Sequence, residues 1–211
     1  NGIEKNMLNF LENHDEQRIA SEFFAGNPFK AIPAMVISAC MNTNPVMIYF
    51  GQELGEKGMD EEGFSGRDGR TTIFDYWTVD TIRRWRSGGK FDGKMLTKEE
   101  KKLQNFYSTL LNLCNKEKAI REGVFFDLTY ANLEGIVFNE HKQYAFFRKA
   151  GKELIFIIVN FDEKPAAPCV KIPTHAFDYL GIPFKDNYKA KDLLTGNTET
   201  LVMAPDQCTQ I

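Results

Sequence analysis

The first sixty residues contain two short apolar runs, each followed directly by polar residues. Residues 7–11 are mostly apolar and lead into the polar stretch 12–18, and residues 46–50 lead into 51–53. Short apolar runs bounded in this way are typical of buried parallel strands. We therefore predict two strands whose polar loops begin where the strands end.

A helix is predicted between the two strands. Asn27 has the side chain of a helix cap, Pro28 suits the first helical position, and the apolar segment 29–41 follows. A strand, a helix and a second strand at this spacing form a βαβ unit, whose strands lie parallel in one sheet. Asp15 and Glu53 would then open onto the same end of that sheet.

Helical spacing returns near residue 97, after a long glycine-rich, acidic loop over 56–89 that contains a shorter helix near 78–86. Thr97 and Glu100 have the spacing of a capping box. The apolar positions that follow recur every three or four residues: Leu103, Phe106, Tyr107, Leu110, Leu111 and Cys114. This pattern predicts a long amphipathic helix.

The pattern changes again after Glu122, to short β-branched and aromatic runs separated by turn residues. Such runs at close spacing favour an antiparallel β-sandwich. The predicted strands are 124–129, 135–139, 143–149, 154–160, 169–172, 188–192 and 199–203.

Composition narrows the function classes. The chain of 211 residues is 43% hydrophobic and 26% charged, with a net charge of −3. No strong basic patch and no long apolar run is present, so we expect neither nucleic acid nor a membrane as a partner. Four cysteines without CxxC spacing (Cys40, Cys114, Cys169 and Cys208) are expected to be buried thiols rather than disulfides or metal ligands.

Two motifs carry a family resemblance. Residues 9–18, Asn-Phe-Leu-Glu-Asn-His-Asp-Glu-Gln-Arg, resemble the fourth signature region of the α-amylase family of glycoside hydrolases, family 13. Residues 45–55, Pro-Val-Met-Ile-Tyr-Phe-Gly-Gln-Glu-Leu-Gly, resemble that family's last barrel strand and the loop after it. The two motifs stand in the family's order and at its spacing.

The resemblance sets the expected fold class, which is α/β plus all-β. A TIM (β/α)8 barrel takes about 250 residues, and this chain supplies only its last two strand-helix units. We therefore expect residues 1–118 to be the C-terminal fragment of a catalytic barrel and residues 119–211 to be a C-terminal antiparallel β-sandwich. The chain would be a C-terminal piece, from an expression product or from proteolysis.

The resemblance also assigns site residues. Asp15 matches the family's third essential carboxylate, which binds sugar hydroxyls and stabilises the transition state, and His14 would bind sugar beside it. Asn13 belongs to the same substrate-binding motif and is expected to brace the end of the strand. For Arg18, contact with sugar and a salt bridge are both open.

The other candidates are weaker. Glu53 could form a catalytic pair with Asp15 or bind the substrate directly, but the resemblance makes it a scaffold carboxylate. Tyr49 could lie in the core or border the sugar. Aromatic residues of the long loop (Phe64, Tyr76 and Trp77) could stack on sugar or pack on the barrel. The acidic residues Asp60, Glu61, Glu62 and Asp68 lack the spacing of an EF-hand calcium loop, so we expect neither a metal nor another cofactor.

Three functions are open. The parent could be an active retaining glycosidase acting on α-glucans, a catalytically inactive relative used for carbohydrate binding or partner assembly, or a protein whose β domain is a carbohydrate-binding module. Retaining hydrolysis uses two carboxyl groups about 5 to 5.5 Å apart, which the family takes from strands absent here, so this chain alone should be inactive.

We expect α-linked glucose oligo- or polysaccharide and the missing N-terminal barrel segment as partners, with self-association of the truncated barrel open. The resemblance favours a periplasmic or extracellular location.

Overall fold

The computed structural model describes residues 3, 6–59, 67–74, 79–133 and 137–211. The chain divides into two compact units. The first consists of Asn1–Ala39 and Asn44–Asn112, and the second of Cys40–Thr43 and Leu113–Ile211.

The first unit contains the predicted βαβ arrangement. Strand β1 (Asn9–Phe10) pairs in parallel with strand β2 (Val46–Met47), with Asn9 opposite Val46. A 3-10 turn over Pro28–Ala31 and helix α1 (Ile32–Cys40) connect them. Both strands are shorter than the apolar runs that predicted them, because only two residues of each run form ladder hydrogen bonds.

The predicted helix start at Asn27 is confirmed. Its side-chain oxygen accepts a hydrogen bond of 2.9 Å from the backbone N–H of Phe29, and Pro28 occupies the first turn, where its missing N–H costs nothing.

The other regular elements described in the first unit are helical. A 3-10 turn (Gln52–Leu54) follows β2, and helix α2 (Asp80–Arg86) and a 3-10 turn (Ser87–Gly89) precede helix α3 (Lys98–Lys116). The predicted capping box closes the start of α3: the Glu100 carboxylate accepts from Thr97 N at 2.7 Å, and Thr97 Oγ1 accepts from Glu100 N at 3.2 Å. The loop residues Asp60, Glu61, Glu62, Phe64, Tyr76 and Trp77, for which the sequence made predictions, lie outside the described residues.

The second unit is built mainly from antiparallel strands. After helix α4 (Lys118–Glu122), strands β3 (Val124–Asp127), β4 (Gln143–Ala150) and β5 (Glu153–Asn160) form a three-stranded sheet, with a 3-10 turn (Thr129–Asn132) between β3 and β4. Strand β6 (Cys169–Lys171) pairs with β9 (Cys208–Gln210), and β7 (Tyr188–Lys191) pairs with β8 (Thr198–Leu201). Helix α5 (Thr174–Leu180) lies between β6 and β7.

The core of the second unit combines side chains from these strands and from α5. Its buried members are Leu128, Phe138, Ala145, Phe147, Val170, Ile172, Ala176, Phe177, Leu180, Ile182 and Met203.

Six of the seven predicted strands are found. Of the seventh, predicted over 135–139, the described residues 137–139 form no strand, and α5 and β9 were not predicted.

The expectation of four thiols is wrong for one pair. Cys169 and Cys208 lie in the paired strands β6 and β9, with Cα atoms 5.4 Å apart, and form a disulfide. Spacing along the sequence could not reveal this pair, because the strand pairing that brings the two residues together joins distant parts of the chain. Cys40 and Cys114 form no disulfide, and their sulfur atoms lie 3.8 Å apart, within hydrogen-bond distance.

Within the described part of the chain, no helix is both long enough and apolar enough to cross a membrane.

Candidate functional site

The loop after β1 is held by the side chain of Asn13. Its Oδ1 accepts hydrogen bonds from the backbone N–H groups of Asp15, at 2.8 Å, and Glu16, at 2.9 Å. A short polar side chain that binds the backbone two and three residues onward fixes a tight turn. Asn13 therefore does what the sequence predicted of it: it braces the chain where the strand ends.

His14 and Asp15 occupy the exposed side of this turn. Their side chains are 56% and 74% exposed, and His14 Nε2 lies 3.4 Å from Asp15 Oδ1. Because β1 and β2 are parallel, the turn lies at the same end of the two-stranded sheet as the loop after β2. An exposed carboxylate beside an imidazole gives this edge an acceptor and a donor for the hydroxyl groups of a ligand.

Arg18 lies beneath the turn and is completely buried, with a side-chain exposure of 0%. Its Nε lies 3.2 Å from Glu12 Oε2, and its Nη2 donates a hydrogen bond of 2.6 Å to the carbonyl of Phe50. The guanidinium carbon stands 4.8 Å from the centre of the Tyr49 ring. The Arg18 guanidinium therefore connects the loop after β1 with Phe50, at the end of the apolar run 46–50 that contains β2.

Glu12 is the buried partner of Arg18. Its Oε1 accepts a hydrogen bond of 2.8 Å from the backbone N–H of Ile19, which closes the loop on itself. Burial raises the pKa of the Glu12 carboxyl, while the Arg18 charge and the Ile19 hydrogen bond act in the opposite direction. The carboxylates of Glu56 and Glu53 add to the upward shift.

Glu56 anchors the loop after β2. One carboxylate oxygen accepts from the backbone N–H groups of Lys57 and Gly58, both at 2.9 Å, and the other accepts from the hydroxyl of Thr81 at the start of α2. Gly51 makes this packing possible, because it has φ of 79° and a Cβ there would lie 3.0 Å from Glu56 Cβ and 3.3 Å from Arg18 Nη2.

The structure separates the candidate residues into an exposed and a buried group. His14 and Asp15 reach solvent, whereas Arg18 and Tyr49 are buried. Of the two interpretations open for Arg18, contact with sugar and a salt bridge, the structure contains the salt bridge, with Glu12. The Tyr49 hydroxyl donates a hydrogen bond of 2.9 Å to the carbonyl of Thr71. Glu53 is partly exposed, and burial raises the pKa of its carboxyl.

Two residues of this arrangement, Glu12 and Glu56, were missed by the sequence analysis. Glu12 could have been found, because its carboxylate directly follows an apolar run. A charged side chain beside a buried strand needs a partner of opposite charge. For Glu56 no comparable signal exists, because its partners are backbone groups and a threonine 25 positions away.

Among the described residues, no group of three or more His, Cys, Asp or Glu side chains is arranged to hold a metal ion.

Comparison with known proteins decides the family. The family model of the α-amylase catalytic domain matches residues 1–123, more than half of the chain. The chain belongs to the α-amylase family, family 13 of the glycoside hydrolases. Its two motifs, at 9–18 and 45–55, both lie inside the matched region.

Solved structures show the same fold at low sequence identity. A maltogenic α-amylase, AmyB from Thermotoga neapolitana, matches 98% of this chain with a TM-score of 0.61 and 13% identity, and AmyP in complex with maltose matches 96% with a TM-score of 0.55 and 18% identity. A debranching enzyme from Nostoc punctiforme matches 97% with a TM-score of 0.51 and 17% identity. No curated protein matches.

The chain spans 39%, 40% and 35% of the lengths of those three proteins, respectively.

Proposed function

We propose that this chain is the C-terminal part of a retaining glycoside hydrolase that acts on α-linked glucans, of the α-amylase or oligo-α-glucosidase type. Residues 1–118 would be the last two strand-helix units of its barrel, and residues 119–211 its C-terminal β-sandwich. Asp15 is the transition-state-stabilising carboxylate, and His14 binds the same sugar.

The observation that carries the proposal is the position of Asp15. Its carboxylate is exposed at the carboxyl end of a parallel strand, on a turn whose backbone is already held by Asn13. Active sites of (β/α)8 barrels form at that end of the strands. A fixed anion at this place stabilises the positive charge that develops on the sugar ring when the glycosidic bond breaks.

The buried residues have a supporting role in this proposal. Arg18 and Glu12 hold the start and the end of the loop that presents Asp15, and Phe50 and Glu53 belong to the neighbouring loop. We assign Arg18 and Tyr49 to positioning, and Glu53 to the scaffold of the site. The nucleophile and the general acid would come from earlier strands of the parent enzyme.

The test replaces Asp15 by Asn in the longer enzyme that contains this chain, with maltooligosaccharides and starch as substrates. We expect kcat to fall at least a thousandfold, because the substitution removes the charge and keeps the shape of the side chain. Glu16→Gln is the matched control: it removes an exposed carboxylate from the same turn, and activity should stay within about twofold. Unchanged turnover in Asp15→Asn would refute the assignment.

The 211-residue chain alone should release no reducing sugar above the buffer rate. Turnover by this chain that is lost in Asp15→Asn would show that the bond-breaking groups lie within it, contrary to the proposal.

The alternative is a catalytically inactive parent that binds carbohydrate or assembles with a partner. The complete set of Asn13, His14, Asp15 and Arg18 favours the active enzyme, since binding without catalysis would not require it. A longer protein that binds maltooligosaccharide and hydrolyses none would establish the alternative.

A further inference from the structure

The second unit contains a group of four rings, three of them exposed, that the proposed catalytic function does not use. Phe126 from β3 lies at its centre, with Tyr130 from the following 3-10 turn and His175 and Tyr179 from α5 around it. Their ring centres are 6.4, 5.4 and 5.8 Å from that of Phe126, respectively. We call these four residues the aromatic cluster.

The aromatic cluster opens to solvent. Tyr179 is 65% exposed and Tyr130 is 47% exposed. With Phe125, Asp127 and Asp178 the cluster lines a shallow pocket of about 580 Å³ that lies entirely within the second unit. This volume falls within the range of about 300 to 1,000 Å³ typical of small-molecule sites.

The rings are held in place. The Tyr130 hydroxyl and His175 Nε2 are 2.6 Å apart and share a hydrogen bond, which joins the 3-10 turn to α5. Phe126 packs against Tyr130, His175 and Tyr179 at once. A ligand would therefore meet an ordered surface, and little side-chain freedom would be lost on binding.

The polar groups in the lining identify the kind of ligand. Asp178, His175 and Tyr130 are exposed beside the rings, and Asp127 is half-buried there. The centre of a protein-protein contact is depleted of charged residues, so a covered protein interface fits this lining poorly. A pyranose offers an apolar C–H face to an aromatic ring and hydroxyl groups around its edge, which carboxylates, imidazole and phenol can bind.

We propose that the aromatic cluster is a second α-glucan site, separate from the loop that carries Asp15. Tyr179 and Tyr130 stack on glucose units of a maltooligosaccharide or starch chain, and Asp127, Asp178 and His175 bind their hydroxyl groups. The site rests on the proposed function only for the choice of an α-linked sugar, and its residues take no part in bond cleavage.

The test measures binding of maltoheptaose to the 211-residue chain by NMR titration, and retardation of the chain in native gels that contain soluble starch. We expect shift changes concentrated at residues 125–130 and 174–179. Tyr179→Ala should weaken binding at least tenfold, because it removes the most exposed ring. Phe161→Ala, an exposed aromatic of the same unit outside the cluster, should leave the affinity within about twofold.

Two results would overturn the proposal. One is an absence of binding at millimolar maltoheptaose, and the other is binding that Tyr179→Ala and Tyr130→Ala both leave unchanged. A dimer that Tyr179→Ala dissociates, without any effect of the sugar, would assign the cluster to contact between two copies and would also overturn it.

The catalytic proposal is tested separately. Asp15→Asn should leave binding at the aromatic cluster unchanged, and Tyr179→Ala in the longer enzyme should leave hydrolysis of short maltooligosaccharides unchanged. Either proposal can therefore fail while the other stands.

Discussion

Arg18 illustrates what a buried charge requires of its neighbours. With no exposed surface, its guanidinium depends on Glu12, on the carbonyl of Phe50 and on the face of the Tyr49 ring. The desolvation cost of such a pair is large, so the pair contributes little net stability while both partners are present. Removing one partner leaves an uncompensated charge, which is far more costly.

We expect Arg18→Met to lower the free energy of unfolding by about 3–5 kcal/mol, because Glu12 would stay buried without its cation. The double variant Glu12→Gln/Arg18→Met should lose less than Arg18→Met alone. Urea unfolding followed by circular dichroism measures both. Arg83→Gln, which breaks an exposed pair with Asp80, is the control and should change stability by less than about 1 kcal/mol. A double variant less stable than Arg18→Met would contradict the argument.

Glu53 gives a prediction about pH. Burial raises the pKa of its carboxyl above the ordinary value of 4.5, so the folded state favours the protonated form. The contribution of this group to stability is fully present below pH 4.5 and is lost as the pH rises through the higher pKa of the folded state. Glutamine imitates the neutral carboxyl and does not titrate.

The stability of Glu53→Gln relative to the original chain should therefore increase as the pH is raised from 4 to 7. Chemical unfolding at several pH values measures this difference. A difference that falls with pH would mean that the folded state stabilises the charged form of Glu53.

At the scale of elements, the start of α3 is closed by side chains from two helices. Glu100 accepts from Thr97 N within the capping box and also receives two N–H donors of Arg84 from α2. Desolvation acts to raise the pKa of Glu100, but the hydrogen bonds from Arg84 and Thr97 outweigh it and hold the pKa below its usual range. The cap thus also joins two helices.

Thr97→Ala should lower the free energy of unfolding by about 1 kcal/mol, because the N–H of Glu100 would lose its side-chain acceptor. Thermal and urea unfolding provide the measurement. Thr109→Ala makes the same change on the exposed middle of α3 and should be neutral or slightly stabilising, since alanine favours helix. Equal effects of the two substitutions would show that the cap does not contribute.

Helices whose first turn is fixed by neighbouring residues could be predicted from the sequence. Elements that depend on contacts between distant residues could not. Asn27 and Thr97 start helices through hydrogen bonds from residues two and three positions away, and Pro28 suits the first turn, so the pattern alone reveals them. Strand β9 has three residues and depends on its partner β6. Helix α5 has seven residues and no cap from the preceding Pro173, and the backbone N–H of Thr174 donates instead to Asp206, 32 positions away. Helix α5 is held by packing in the core of the second unit and β9 by its pairing with β6, and no short window of sequence displays either contact.

The same distinction holds at the candidate site. Asn13, His14 and Asp15 form one contiguous motif that the sequence displays directly. The contact of Arg18 with Phe50 and the bond between Glu56 and Thr81 join residues 32 and 25 positions apart. The first connection exists only once β1 and β2 have paired, and the second only once the loop after β2 packs against α2, so neither could be foreseen without the fold.

At the scale of the molecule, the disulfide is the main covalent constraint in the described part of the second unit. It joins β6 to β9 across a sequence separation of 39 residues, and closing a loop of this size reduces the conformational entropy of the unfolded chain. The loop it closes contains α5 and the pair β7 and β8.

Replacing Cys169 and Cys208 together by serine should lower the free energy of unfolding by about 2–4 kcal/mol. Denaturant unfolding in the absence of reductant measures the loss. The double replacement of Cys40 and Cys114 by serine leaves the cross-link intact, and its stability should still fall by a similar amount when reductant is added. Insensitivity of that control to reductant would argue against the bond.

The turn at Asn13 has a consequence for how a substrate would be received. Its amide side chain occupies two backbone N–H groups before any ligand arrives, and Asp15 is exposed on a loop whose shape was set during folding. Association then needs little further ordering of the protein at this position. A sugar that reaches Asp15 should accordingly find its acceptor already in place, so the encounter at this loop would resemble a rigid fit more than a mutual adjustment.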